Sequence, residues 1–132
     1  MSHLLDTNVL IYLFKNQGRV RERLDGVADH AVKVPSIAVY ELQYGALKSS
    51  RPEAQAAQLQ AVLSRFGVLD FDLPCAASAA QVRFHLEHAG TPVGVADILI
   101  AGTALAHNLT IVTRNVHEFS RVPGLRVENW YD

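Results

Sequence analysis

Short apolar segments alternate along the chain with longer segments in which apolar residues recur at helical spacing. The strand-like segments are HLL (3–5), AVKVP (31–35), GVLDF (67–71), LTIVT (109–113) and LRVENW (125–130). Helical patterns cover residues 7–15, 19–27, 36–50, 51–66, 74–90 and 95–108. Strands separated by helices form parallel sheets with helices packed on both faces. The order therefore predicts an α/β fold, an α/β/α sandwich with a short, mainly parallel central sheet.

Residues that favour helix ends support several of these boundaries. Ser36 stands where the N-terminal cap of the third helix is expected. Pro52 suits the first turn of the fourth helix, and Gly90 suits the end of the fifth. In parallel α/β sheets, ligands bind at the carboxyl ends of the strands. Polar residues that directly follow a strand are therefore the first candidates for a functional site.

Three acidic residues interrupt apolar patterns. Asp6 follows the first strand within LLDTNVLIYLF, Glu41 lies within IAVYELQYG, and Asp97 lies within PVGVADILIAG. Each has a simple structural explanation, because Asp6 can cap a helix, Asp97 can interact with a helix dipole and Glu41 can be exposed. Together they predict a site, since a parallel sheet brings the helix starts that carry Asp6 and Asp97 to one edge.

The cost of such a cluster indicates its ligand. Two carboxylates about 5 Å apart repel each other by roughly 3 kcal/mol at an effective dielectric constant of about 20. Three such pairs would cost on the order of 10 kcal/mol, which is comparable to the stability of a whole domain. The cluster must therefore take up protons or hold a cation. Oxygen ligands favour Mg²⁺ or Mn²⁺, which in turn suit phosphodiester hydrolysis.

Composition places the chain among globular proteins. It has 132 residues, of which 49% are hydrophobic, and we expect a single domain over residues 1–132. We expect no membrane span, because the apolar runs are short, and no secretory signal at the N-terminus. Cys75 is the one cysteine, so no internal disulfide is possible and a cytoplasmic location is expected. Cys75 itself is expected to be a small buried residue.

Charge does not mark the whole molecule as a nucleic-acid binder, because the net charge is −1. Basic residues cluster in KNQGRVRER (15–23) and KSSR (48–51), where a solvated surface is the simpler interpretation on charge alone. If nucleic acid binds, these segments and the residue after the fourth strand supply candidate phosphate contacts. The candidates are Lys15, Arg19, Lys48, Arg51 and Arg114.

The motifs in combination resemble the PIN domain, and closely the VapC-type toxins of bacterial toxin–antitoxin pairs. The similar segments are LLDTNVLIYLFK, SIAVYELQYGALKS and the stretch from GTPVGVADILIAG to LRVENW, so the resemblance covers essentially the whole chain. It implies that Asp6, Glu41 and Asp97 bind Mg²⁺ or Mn²⁺. It also implies an endoribonuclease that cuts structured RNA, often tRNA, and thereby inhibits translation.

Partners and products follow from the same resemblance. It implies a VapB-type antitoxin whose C-terminal tail covers the site, binding of operator DNA only through the toxin–antitoxin complex, and a toxin homodimer. No membrane partner is expected. Water activated by the metal would attack the phosphodiester and leave a 5′-phosphate and a 3′-hydroxyl.

One position departs from the pattern of the broader family. Many PIN domains carry a fourth acid after the late strand, where this chain has Asn115. We expect Thr113 and Asn115 to give polar support, and Thr7 and Asn8 to orient Asp6, to hold a metal-bound water or to cap the helix. Glu118 is interpreted as a solvated turn residue, although whether Asn115 or Glu118 replaces the fourth acid stays open. A single metal ion is favoured over two.

Two other functions are considered. A phosphatase of the haloacid dehalogenase type would need an acid two residues after Asp6, where the chain has Asn8. A non-catalytic module that binds RNA or a partner protein stays as the alternative to the nuclease. The histidines show no spacing typical of metal ligands, so a zinc site is not predicted.

Overall fold

A five-stranded sheet forms the centre of the computed structural model, which describes residues 2–132. The strands are β1 (His3–Leu5), β2 (Val32–Pro35), β3 (Gly67–Leu69), β4 (Thr110–Val112) and β5 (Val127–Glu128). They lie in the order β3-β2-β1-β4-β5, and every neighbouring pair is parallel. Each strand falls within a segment predicted to form one, and the sheet is parallel throughout.

Within residues 2–132, seven helices connect the strands. They are α1 (Thr7–Phe14), α2 (Val20–Asp25), α3 (Ser36–Leu47), α4 (Pro52–Arg65), α5 (Leu73–His88), α6 (Val95–Ala106) and α7 (Val116–Phe119), and a 3₁₀ turn spans Asp29–Ala31. The first six match the predicted helical segments. Helix α7 was not predicted, because four residues are too few to show a helical period. Within residues 2–132 no helix has the length and apolar character needed to cross a membrane.

Helices cover both faces of the sheet. Side chains alternate between the faces along a strand, so the neighbours Leu4 and Leu5 belong to separate cores. Leu5 packs with buried residues of α1 to α4, and Leu4 packs with buried residues of α5, α6 and α7. This arrangement confirms the predicted α/β/α sandwich.

Two of the three predicted helix-end signals are confirmed and one is wrong. Pro52 lies at the start of α4, and Gly90 has a φ of 75° directly after the end of α5. Ser36 does not cap α3, because Pro35, the last residue of β2, occupies the cap position. The strand runs straight into the helix, so the Ser36 hydroxyl instead accepts a hydrogen bond of 3.2 Å from the Phe71 N–H.

The strand order places a crevice beside β1. The chain adds β2 and then β3 on one side of β1, and it returns to add β4 and β5 on the other side. The connections therefore diverge between β1 and β4, the point where open α/β sheets bind their ligands at the carboxyl ends of the strands. Asp6 follows β1 at this crevice, and Thr113 follows β4.

Candidate metal centre

Asp6 is a helix cap and a buried site residue at once. Its backbone is extended, and its Oδ1 accepts a hydrogen bond of 2.8 Å from the Thr7 N–H at the start of α1. Its Oδ2 accepts a hydrogen bond of 2.9 Å from the Thr113 hydroxyl. Burial raises the pKa of Asp6, these two hydrogen bonds oppose the rise, and the charge of Glu41 adds to it. Asp6 therefore caps α1 with one carboxylate oxygen and is buried against Thr113 with the other.

The Thr113 hydroxyl links two neighbouring segments. It donates to Asp6 and accepts a hydrogen bond of 3.0 Å from the Asn115 N–H. Thr113 is fully buried, and Asn115 occupies the cap position of α7. Thr113 thus contacts Asp6 directly. Asn115 is linked to Asp6 through its backbone N–H, which donates to the Thr113 hydroxyl.

Glu41 comes from α3 and joins the cluster through Thr7. The Thr7 hydroxyl donates a hydrogen bond of 2.6 Å to Glu41 Oε1, while the Thr7 N–H donates to Asp6. One threonine therefore contacts two of the acids, and it is the first residue of α1, whose cap is Asp6. Asn8 is exposed and lines a cleft together with Glu41.

Asp97 lies in the first turn of α6 and is half-buried. Its pKa is raised to about 6, first by burial and then by the negative charges of Asp6, Glu118 and Glu41. The helix dipole would lower this pKa, so the neighbouring carboxylates and the burial outweigh it. Four acids from four parts of the chain therefore share one region of negative potential.

Glu118 was wrongly interpreted as a solvated turn residue. It is half-buried in α7, and its charge acts on Asp97. The sequence did hold one signal for it, because Glu118 follows closely after the carboxyl end of β4. Glu118 therefore interacts with Asp97 from a position three residues after Asn115.

The donor set fits a divalent cation. Besides burial, the charge of Glu41 raises the pKa of Asp6, and the charges of Asp6, Glu118 and Glu41 raise that of Asp97, so a cation among them would offset the repulsion; oxygen donors favour Mg²⁺ or Mn²⁺. In residues 2–132, no three of these carboxylates offer atoms within 4.8 Å of one another. An ion there would keep water at its remaining positions, as Mg²⁺ usually does.

A cleft of about 650 Å³ opens beside Glu41, between α1, α3 and α4. Thr7, Asn8, Lys15 and Lys48 are among the residues that line it. The Lys48 ammonium lies 4.8 Å from the centre of the Tyr44 ring, and that cation–π contact favours a position in the cleft. Two of the predicted phosphate contacts, Lys15 and Lys48, therefore line the same cleft as Glu41.

The remaining basic candidates are placed differently. Arg19 is exposed and forms an ion pair of 2.9 Å with Glu22, outside the cleft lining. Arg51 is exposed at the start of α4 and is also outside the lining. Arg114 directly follows Thr113, and its guanidinium carbon lies 3.6 Å from the centre of the Tyr131 ring. Arg114 is exposed. Its stacking on Tyr131 holds it beside Thr113, the residue that donates a hydrogen bond to Asp6.

Two aromatic residues at the cleft were not predicted from the sequence to be site residues. Tyr40 and Tyr44 flank Glu41 on α3 and are 67% and 58% exposed. Large side chains exposed side by side at a cleft are candidates for a binding surface. Tyrosine rings can stack on unpaired bases, so they extend the candidate surface beyond the basic residues.

Comparisons with known proteins show which family the chain matches. The PIN domain family matches residues 3–125. The tRNA(fMet)-specific endonuclease VapC of Salmonella typhimurium is 41% identical over 131 residues, which cover 98% of this chain and 98% of that protein. Ribonuclease VapC2 of Rickettsia felis is 38% identical over 132 residues, again with 98% of each protein covered.

Solved structures agree with this chain in fold along nearly its entire length. One chain in the crystal structure of VapBC2 from Rickettsia felis, bound to a DNA fragment from its promoter, has a TM-score of 0.92 at 36% identity. It covers 98% of this chain and 99% of that one. A chain of DNA-bound VapBC from Salmonella typhimurium also has a TM-score of 0.92, at 41% identity, with 98% of each chain covered.

Proposed function

The chain belongs to the PIN-domain family, and within it to the VapC ribonucleases; from this membership we propose that it is the metal-dependent toxin of a VapBC pair and cuts a tRNA. The proposal adds three points to family membership: which residues act, which ion they use and which RNA they cut. Inhibition of translation would follow from loss of the tRNA.

The observation that carries the assignment of the site is the convergence of its acids: Thr7 donates to both Asp6 and Glu41, and Asp97 interacts with Asp6, Glu118 and Glu41. The pKa of Asp97 is raised to about 6 by burial and by the charges of these three acids. A protein that only binds RNA would gain from positive potential at its binding surface, and four mutually repelling acids oppose that. We infer that Asp6, Glu41 and Asp97 hold Mg²⁺ or Mn²⁺ and that Glu118 is the fourth acid.

The bound ion would supply a more acidic water and stabilise the leaving oxygen. The protein's own residues would hold the acids ionised and in place. Thr113 and Thr7 donate hydrogen bonds to Asp6, and such bonds favour its carboxylate form over its protonated form. Thr7 also holds Glu41 at 2.6 Å, so the geometry of two ligands depends on one residue.

RNA would approach through the cleft beside Glu41. Lys15 and Lys48 line this cleft and would contact phosphates, while Tyr40 and Tyr44 would stack on bases. Arg114 would make a further phosphate contact near Asp6. Arg19 and Arg51 are assigned only a peripheral role, because Arg19 is paired with Glu22 and neither lines the cleft.

The proposed RNA target is initiator tRNA. The printed name of the Salmonella relative specifies tRNA(fMet), and that protein is 41% identical to this chain along its full length. Single-stranded loops are where proteins reach splayed-out bases, so a loop of the tRNA is the expected cut site.

The proposed partner is a VapB-type antitoxin whose C-terminal tail covers the cleft. Chains that resemble this one at a TM-score of 0.92 occur in complexes with VapB and DNA. Operator DNA would bind only through that complex, and the toxin would form a homodimer. A cytoplasmic location is part of the proposal, because its RNA substrate and operator DNA are found there.

Cleavage of initiator tRNA by the purified full-length chain tests the proposal. Glu41→Gln and Asp97→Asn should abolish cleavage in Mg²⁺ or Mn²⁺, because each removes one ligand charge, and a chelator should abolish it in the unchanged protein. Glu53→Gln is the matched control, since Glu53 is exposed on α4 and should be dispensable. Cleavage that persists in both acid variants would refute the site. RNA binding without cleavage in the unchanged protein would favour the non-catalytic alternative.

The chemistry of the cut ends tests the mechanism separately. Hydrolysis by water should leave a 5′-phosphate and a 3′-hydroxyl, and it should tolerate a 2′-deoxy substitution at the cut site. Ligation-based mapping of the ends distinguishes these products. A 2′,3′-cyclic phosphate would mean that the RNA 2′-hydroxyl is the nucleophile, which contradicts the mechanism.

A further inference from the structure

A second group of metal-binding side chains lies where α5 begins and α6 ends. It consists of Asp72, Cys75 and His107, and one ligand atom from each lies within 4.8 Å of the other two. His107 follows Asp97 by ten positions along α6, a distance of about 15 Å along the helix axis. The group is therefore separate from the acidic centre, and the ribonuclease proposal does not use it.

We propose that Asp72, Cys75 and His107 bind a thiophilic divalent ion, with Zn²⁺ as the best match. A set of one sulfur, one nitrogen and one oxygen ligand suits Zn²⁺ and does not suit Mg²⁺, which takes oxygen ligands. Three protein ligands leave the fourth tetrahedral position to water. Sequence spacing did not reveal the group, because His107 comes from a different helix.

Local contacts hold two of the ligands together. Asp72 caps α5, and its Oδ1 accepts a hydrogen bond of 3.2 Å from the Cys75 N–H. The Cys75 sulfur points away from solvent and lies 3.7 Å from the Asp70 carbonyl oxygen. Asp72 and His107 are exposed, so the group has one side open to solvent and the sulfur on its buried side.

The third ligand is held by tight packing between the two helices. A Cβ atom placed on Gly102 of α6 would lie only 2.6 Å from the Cβ of Ala79 on α5. Because the helices approach so closely, the end of α6 that carries His107 stays next to the start of α5. An ion shared by the three ligands would join these two helix ends.

A nucleophilic cysteine is the other chemistry that such a trio suggests, and two observations oppose it. Cys75 is 0% exposed, so a substrate cannot reach its sulfur. Burial also raises the pKa of the Cys75 thiol, which disfavours the thiolate needed for attack. A metal ion overcomes the second obstacle, because a thiol that coordinates a metal gives up its proton.

Absorption spectroscopy with Co²⁺ tests the site in the full-length, reduced protein. We expect a thiolate-to-cobalt band in the near ultraviolet that saturates at one Co²⁺ per chain and disappears when Zn²⁺ is added. Cys75 is the only cysteine, so the band reports on this site alone. Ions at the acidic centre have oxygen ligands and cannot produce it. Absence of the band would overturn the proposal.

Variants of the two exposed ligands, Asp72 and His107, leave the buried Cys75 unchanged. They therefore test the site without altering the packing around Cys75. His107→Ala and Asp72→Asn should each weaken Co²⁺ binding by at least about tenfold, the loss that even outer-shell partners of a metal produce. Asparagine keeps the cap of α5, so Asp72→Asn isolates the metal ligand from the helix cap. The control is His85→Ala, which changes an exposed histidine of α5 and should bind Co²⁺ with unchanged affinity. Unchanged affinity in both ligand variants would refute the assignment.

Discussion

Individual residues at the acidic centre serve folding and function together. Asp6 caps α1 with one carboxylate oxygen and accepts from Thr113 with the other. A helix cap alone would leave Asp6 exposed, as most caps are, yet Asp6 is only 4% exposed. Burying this charge costs free energy that a cap does not require. The cost is consistent with the proposed metal site, where a bound cation would offset it.

Replacing Asp97 by Asn should stabilise the protein in the presence of a chelator. The folded-state pKa is raised from 3.8 to about 6, so the folded protein binds this proton more tightly than the unfolded chain does. The contribution of Asp97 to stability is therefore full below pH 3.8 and is lost as the pH rises through about 6. At neutral pH, Asp97→Asn should gain about 1–3 kcal/mol, after allowance for partial screening.

Urea unfolding of both proteins across this pH range measures the effect. The stability difference should shrink as the pH falls and vanish below pH 3.8, where both side chains are neutral. Added Mg²⁺ should stabilise the unchanged protein more than Asp97→Asn. If the difference in stability between the two proteins stays constant with pH, the pKa of Asp97 is not raised in the folded protein.

Thr113→Val should impair both stability and activity. The substitution keeps the shape but removes the donor to Asp6 and the acceptor for the Asn115 N–H. We expect a loss of about 1–3 kcal/mol, because two buried polar groups lose a partner. The pKa of Asp6 should rise further, so the acidic limb of the pH–activity profile should move to higher pH. Thr113→Ser should restore the profile, and equal profiles for Val and Ser would contradict this role.

At the scale of elements, the site depends on where helices begin. Helices α1, α6 and α7 start at the carboxyl edge of the sheet, and each carries an acid within or next to its first turn. Glu41 enters from the second turn of α3 and is held by Thr7 of α1. A rigid junction between helices and sheet is therefore required to hold four like charges near one another.

Gly102→Ala should separate α5 from α6 and destabilise the protein. The added Cβ would lie 2.6–2.7 Å from Ala79, including its backbone, so the helices must move apart. We expect a loss of about 1–3 kcal/mol in the free energy of unfolding, although alanine favours a helix more than glycine does.

Gly45→Ala is the matched control for that prediction. Gly45 also lies within a helix, but a Cβ there would meet nothing within 4 Å. The control should gain about 0.5–1 kcal/mol from helix propensity alone. Chemical denaturation of both variants gives the comparison, and a stabilised Gly102→Ala variant would mean that the close contact relaxes without cost.

At the scale of the whole molecule, the net charge is small and the charged residues that matter are placed locally. The net charge of −1 gives no general attraction to RNA, while Lys15 and Lys48 lie in the cleft next to Glu41. Binding should therefore depend on a few local contacts and on the divalent ion. The cleft with the lysines lies between α1, α3 and α4, and Asp6 follows β1 at the crevice between β1 and β4.

Salt dependence of RNA binding tests this arrangement. In the inactive Asp97→Asn background, Lys48→Gln should weaken tRNA binding and reduce the slope of log affinity against log salt by about 0.7–1, the value for one phosphate contact. Arg83→Gln removes the same charge from the exposed face of α5 and should leave the slope unchanged. Equal slopes for the two variants would exclude the cleft as the path of the RNA.

The amino-acid sequence by itself determined the succession of strands and helices and three of the four acids. Apolar periodicity is a local property, and it is sufficient for strands that are buried on both faces and for long helices. Asp6, Glu41 and Asp97 were visible because each interrupts such a pattern. Short α7 left no periodic signal, so Glu118 on it was misinterpreted.

Only the tertiary structure decided which side chains meet. The Thr113 hydroxyl reaches Asp6 across 107 positions of sequence, and Thr7 reaches Glu41 across 34. His107 joins Asp72 and Cys75 because α5 and α6 pack closely at Gly102. Side-chain hydrogen bonds and metal sites depend on distances in space, and sequence spacing reports those distances only within one helix or strand. Long-range packing therefore had to be known before either metal site could be assigned.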